Sequence, residues 1–156
     1  MSVRSLSCLV LAGLAACGGR TRPETAAKPN VEFLTPYGPT TRPFSPAVRV
    51  GNMLYLSGQI GTASAGAAAN AVVPGGIEAE TRQTLENIKD VLQKSGSSMD
   101  RVVKCTVMMA DMREWDRMNV VYATYFPINK PARSALGASG LALGARVEIE
   151  CLATVD

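Results

Sequence analysis

Arg146-Val147-Glu148-Ile149-Glu150-Cys151-Leu152-Ala153-Thr154-Val155 alternates with a period of two. Val147, Ile149, Cys151, Ala153 and Val155 share one face; Glu148, Glu150, Leu152 and Thr154 share the other. Such alternation specifies a strand with one face on a core and two carboxylates on the opposite face. Just upstream, Pro131-Ala132-Arg133-Ser134 opens a short strand over 132–136, and 137–144 form a loop. From 131 to 150 the ionisable side chains are Arg133, Arg146, Glu148 and Glu150. An arginine at a strand edge can grip a carboxylate through two parallel N–H···O bonds, and a glutamate can hold a water. The same residues also suit plainer roles: Arg133 in a structural ion pair, and Glu148 and Glu150 as solvated like charges or partners of arginines across a subunit boundary.

Further towards the N-terminus the period changes to that of helices. Met112, Trp115, Met118, Tyr122 and Tyr125 recur at helical spacing behind Asp111-x-x-Glu114, a variant capping box, and Pro127 and Pro131 end the helix. Met112, Trp115 and Met118 suit the core, and Asn119 suits a structural hydrogen bond. Val102 to Met109 is a β-rich run. Ile77, Leu85, Ile88, Val91 and Leu92 form the apolar stripe of a helix over 77–95, which Gly96 stops. Residues 62–76 are an Ala/Gly-rich loop. Two strand-like runs, 47–50 and 53–56, flank Gly51-Asn52 as a hairpin, and 31–34 form a first strand. Strand, hairpin, helix, strand, helix, strand, strand is an α+β order, with helices on one face of a mixed, mostly antiparallel sheet.

Composition narrows the chemistry. A chain of 156 residues, 47% hydrophobic, can bury one sizeable core. The net charge of +3 without a basic stripe argues against nucleic acid as a partner. The absence of histidine removes the commonest general base and metal ligand, so acid–base work falls to Glu, Asp, Lys, Tyr, Cys or the substrate. No C-x-x-C pair occurs among Cys8, Cys17, Cys105 and Cys151, so no metal site is expected. Cys105 and Cys151 suit buried thiols, with a disulfide between them open in an oxidising compartment.

The first residues form a targeting segment. Arg4 precedes an apolar run, too short to span a bilayer, that ends Leu14-Ala15-Ala16-Cys17-Gly18-Gly19. Small residues before a cysteine resemble the lipobox of bacterial lipoproteins. The expectation is a signal peptide over 1–16, lipidation of Cys17, a tether over 17–30, and a domain over 31–156 exported to a membrane surface, the outer membrane in a Gram-negative cell. The alternatives are an ordinary signal peptide and a mis-called start before a cytoplasmic protein.

Across the domain, Arg42-Pro43-Phe44-Ser45-Pro46-Ala47-Val48, Gly51-Asn52, Ser57-Gly58-Gln59-Ile60, Pro131-Ala132-Arg133-Ser134 and Val147-Glu148-Ile149-Glu150 resemble the Rid (YjgF-like) family, in its order and with similar gaps. The resemblance implies a chorismate-mutase-like fold, a homotrimer with sites between subunits, and cofactor-free hydrolysis of 2-enamine and 2-imino acids to 2-keto acids and ammonia. It implies that Arg133 binds the substrate carboxylate and that Glu148 positions the water. Phe44, Ser57, Gly58, Asn119, Ser134 and Ala135 would line the site, with backbone N–H groups of Ser57-Gly58 and Ser134-Ala135 as donors. Phe44 stands where many members carry tyrosine, Ala135 where many carry cysteine, and Leu141-Ala142 where Leu-Pro is usual. A rival reading is a non-catalytic, membrane-tethered receptor for a small carboxylate. An RNA-directed role is disfavoured by the weak charge and the aromatic content of 5%.

Overall fold

A computed structural model describes residues 28–63 and 71–155. The expected signal peptide, Cys17 and most of the tether lie outside the described residues, as does the middle of the Ala/Gly-rich loop. No helix among the described residues is long and apolar enough to cross a membrane.

The chain forms β1 (Val31–Leu34), β2 (Ala47–Val50), β3 (Met53–Leu56), β4 (Gln59–Ile60), α1 (Gly76–Lys94), β5 (Val102–Met109), α2 (Trp115–Tyr125), β6 (Ala132–Gly137) and β7 (Val147–Thr154). The strands make one sheet in the order β1-β2-β3-β7-β5-β6, with β4 also paired to β7. Only β5 and β6 are parallel, joined by α2 as a crossover; the other pairings are antiparallel. The α+β order expected from the sequence is the observed one.

Each element follows from its residues. Gly51 adopts φ 58, which lets β2 turn tightly into β3. Gly96 at φ 81 ends α1: its amide donates to Gln93 O and that of Ser97 to Leu92 O, so the last carbonyls are satisfied. Ile77, Leu85, Ile88 and Leu92 on α1 are fully buried against Val107, Met109, Val147, Ile149 and Ala153 of the sheet. Each such side chain contributes about 1.5–3 kcal/mol by leaving water. The start of β7 is fixed by charge. The Arg146 amide donates to the buried Glu80 carboxylate at 2.7 Å, and its guanidinium to Glu114 at 2.8 Å.

Three expectations need correction. Asp111 accepts from the Arg113 amide, but Glu114 does not reach back to close a capping box; it pairs with Arg146 instead. Met112 sits in the turn before α2 and is 43% exposed, so it is not core. Cys105 and Cys151 are not free thiols: they are direct cross-strand partners on β5 and β7, with Cα atoms 4.2 Å apart, and form a disulfide. The antiparallel register brings them together, and it is invisible in a separation of 46 residues.

Candidate functional site

The sheet sorts the candidate residues onto two faces. On β5, Cys105, Val107 and Met109 point into the helix layer. Arg133 lies opposite Cys105 and Ala135 opposite Val107, so both side chains share the helix-side face. Glu148 lies opposite Met108 and Glu150 opposite Thr106, so both carboxylates share the open face. Strand β6 is two strands from β7, about 10 Å away, and Arg133 and Glu148 are also offset along the strands. Within one chain they do not meet. The candidate residues fall into two half-sites.

The first half-site is built by α2 and β6. The Arg133 Nη1 donates to Asn119 Oδ1 at 2.7 Å. Its guanidinium carbon lies 4.9 Å from the Trp115 ring centre and 4.6 Å from that of Tyr122. No carboxylate among the described residues pairs with it, in contrast to Arg113, Arg117 and Arg146. Burial pushes the Tyr122 phenol up to about 12, against the opposing pull of Arg133. Trp115 and Tyr122 were legible in the sequence only as core-type aromatics at helical spacing; the i, i+4, i+7 stripe that they form with Asn119 was the available signal. The side chain of Ser134 points away from that of Arg133. It faces the open side and accepts from Lys104 at 2.7 Å, while Ala135 packs against the core.

The second half-site is built by β7, β4 and the loop before β2. A side chain at Gly58 would collide with the Glu148 carboxylate, so the glycine leaves the space that the glutamate occupies. Burial, then the neighbouring Glu150, raises the Glu148 carboxyl above its ordinary value. Ser57 donates its hydroxyl to Ser45 O at 2.7 Å and its amide to Pro46 O at 3.0 Å. The Ser57 amide is thus engaged within the chain. Phe44 and Ser57 border an open groove of about 600 Å³ with Phe33, Arg42, Ser45 and Val48. Among the described residues no cluster of His, Cys, Asp or Glu can hold a metal ion.

The family model described as Endoribonuclease L-PSP matches residues 37–155, which carry both half-sites. The chain belongs to the endoribonuclease L-PSP family. This L-PSP member is 40% identical over 111 residues to the 2-iminobutanoate/2-iminopropanoate deaminase of Mus musculus, covering 71% of this chain and 80% of that protein. The solved structure of yeast Mmf1 is similar with a TM-score of 0.73 and 33% identity, over 81% of this chain and all of that one. A Yersinia pestis protein of the conserved Rid family, of unknown function, is similar with a TM-score of 0.70 and 35% identity, over 81% of this chain and all of that one. The L-PSP member shares with them the YjgF-like fold that its motifs suggested: two helices on one face of a mixed sheet.

Proposed function

We propose that the chain hydrolyses reactive 2-imino acids, and their enamine tautomers, to 2-keto acids and ammonia. The observation that carries this reading is the Arg133 guanidinium: oriented by Asn119 and two rings, and paired with no carboxylate among the described residues. Relatives named as 2-imino acid deaminases at about 40% identity support the substrate class.

The chemistry follows from the charges. A 2-imino acid presents a carboxylate beside an electrophilic carbon. Arg133 takes the carboxylate through its in-plane N–H edge and so fixes the carbon's position. Glu148 accepts a proton from water as the water oxygen bonds to that carbon. The resulting carbinolamine loses ammonia as the C–N bond breaks and the C=O bond forms: the proton on Glu148 passes to nitrogen, and the hydroxyl proton passes to the Glu148 carboxylate so freed. Because Arg133 and Glu148 lie on opposite sheet faces, we place each complete site between two copies of the chain, in a homotrimer of the kind that the family resemblance implies. Glu148, Glu150 and Gly58 line the open face, and two carboxylates there disfavour a phosphate backbone.

The test is keto-acid release by the full chain from imine generated in situ by an amino-acid oxidase, with semicarbazide as trap. We expect acceleration, and at least a hundredfold loss of kcat/KM in Arg133→Ala, since a bidentate charged contact at a reacting group is worth roughly 3 kcal/mol or more. Unchanged release in the variant sinks the reading. Binding of 2-oxobutanoate without any acceleration would instead favour the carboxylate receptor.

We also propose export and acylation at Cys17. The Leu14-Ala15-Ala16-Cys17 stretch and the Cys105–Cys151 disulfide support it, since disulfides persist in oxidising compartments. Loss of palmitate labelling in Cys17→Ala tests the anchor.

A further inference from the structure

Helix α2 presents Trp115, Asn119 and Tyr122 along one stripe, at i, i+4 and i+7. Strand β6 delivers Arg133 onto that stripe. Its guanidinium carbon lies within 5 Å of both ring centres, and one N–H donates to Asn119. Three other arginines are oriented differently. Arg113, Arg117 and Arg146 are each held by a carboxylate at 2.6–2.8 Å, which occupies their N–H groups. Aromatic faces attract a guanidinium without consuming its in-plane donors. Among the described residues the buried Tyr122 hydroxyl has no hydrogen-bond partner, and it is the ring that meets Arg133.

We propose that Trp115 and Tyr122 are positioning residues for Arg133. They hold the guanidinium plane while leaving its donor edge open to a planar carboxylate. The proposal rests on the reading of Arg133 as the carboxylate binder, and it adds the residues that make that arginine rigid. Unrestrained, a long side chain loses its rotamer freedom on every binding event; the rings and the Asn119 amide remove that loss beforehand. A carboxylate in their place would orient Arg133 equally well but would block its donors.

The experiment compares Trp115→Leu with Trp115→Phe, and Tyr122→Leu with Tyr122→Phe, in the full chain. The leucine variants keep an apolar side chain, though a smaller one, and lose the ring; the phenylalanine variants keep a ring. Two readouts are taken: calorimetric titration with 2-oxobutanoate, which needs no turnover, and steady-state imine hydrolysis. Each leucine variant is expected to weaken 2-oxobutanoate binding and raise KM by about five- to thirtyfold, the range spanned by a desolvated cation–π contact, with a smaller change in kcat. Each phenylalanine variant is expected to restore most of the loss. Melting temperature is measured alongside, because both residues also touch the core. Leucine and phenylalanine variants that bind equally well would overturn the proposal, since the rings then merely fill space. An Arg133→Ala protein that hydrolyses and binds like the native chain would instead overturn the role of Arg133. An inactive Arg133→Ala beside a native-like Trp115→Leu and Tyr122→Leu would overturn the positioning alone.

Discussion

As the base of the proposed reaction, Glu148 would carry two opposed demands. A base must be charged to accept a proton, yet burial and Glu150 both disfavour the charge and raise its pKa. Its folded pKa lies above the unfolded value, so in the window between the two the native state binds more protons than the unfolded chain. Stability therefore falls as pH rises through that window, and the cost persists at neutral pH. Glu148→Gln is expected to raise the melting temperature at neutral pH, with the gain fading in acid, and to lower kcat by about a hundredfold or more, as loss of a general base does. Glu150→Gln removes one of the two causes, so the acid limb of its pH–rate profile is expected to move to lower pH. Thermal scans and rate profiles from acid to neutral pH check both. A Glu148→Gln protein that is less stable at neutral pH, or an Arg133-dependent rate untouched by it, contradicts this account.

Cys105 and Cys151 join β5 to β7 across the middle of the sheet, and Arg133 on β6 is the next residue in the same row. The staple thus fixes the strand beneath each half-site. Closing a loop of 46 residues removes about 4 kcal/mol of unfolded-chain entropy in the chain-entropy account. Cys105→Ala/Cys151→Ala is expected to lower the melting temperature by well over ten degrees, and denatured native protein to show no free thiol at either position by alkylation and mass analysis. Elements of this kind differ in how far the sequence reveals them. β7 was plain from its alternation and α1 from its apolar stripe and Gly96, because local periodicity is enough to define each. β4 has no signature in the sequence: two residues carry no period, and only pairing with β7 makes Gln59-Ile60 a strand. Glu114 is a related case. Its spacing fits a capping box, but Arg146, 32 residues away, offers a stronger partner. The pairing of the cysteines, and the seating of Arg133 on the aromatic stripe of α2, likewise depend on packing between elements that no local pattern encodes.

At the scale of the molecule, the two faces of the sheet decide what one chain can do. Arg133 with Asn119 looks into the helix side; Glu148 with Gly58 looks out from the open side. The resemblance implied sites between subunits, but that Arg133 and Glu148 face opposite ways depends on the β5–β6 and β5–β7 registers together, which the motifs do not carry. If a site joins Arg133 of one copy to Glu148 of the next, each copy in a closed ring contributes to two sites. Arg133→Ala and Glu148→Gln chains would each be inactive alone. Co-expressed in equal amounts and assembled at random, a site is intact only where a Glu148→Gln chain supplies the arginine and an Arg133→Ala chain supplies the glutamate. That arrangement occurs with a chance of one half at each position, so about one quarter of native activity is expected to return, whatever the number of subunits in the ring. The measurement is keto-acid release by the whole purified mixture, without separating hybrids from single-variant assemblies. A site contained in one chain predicts no recovery at all, because every chain then lacks one of its two groups.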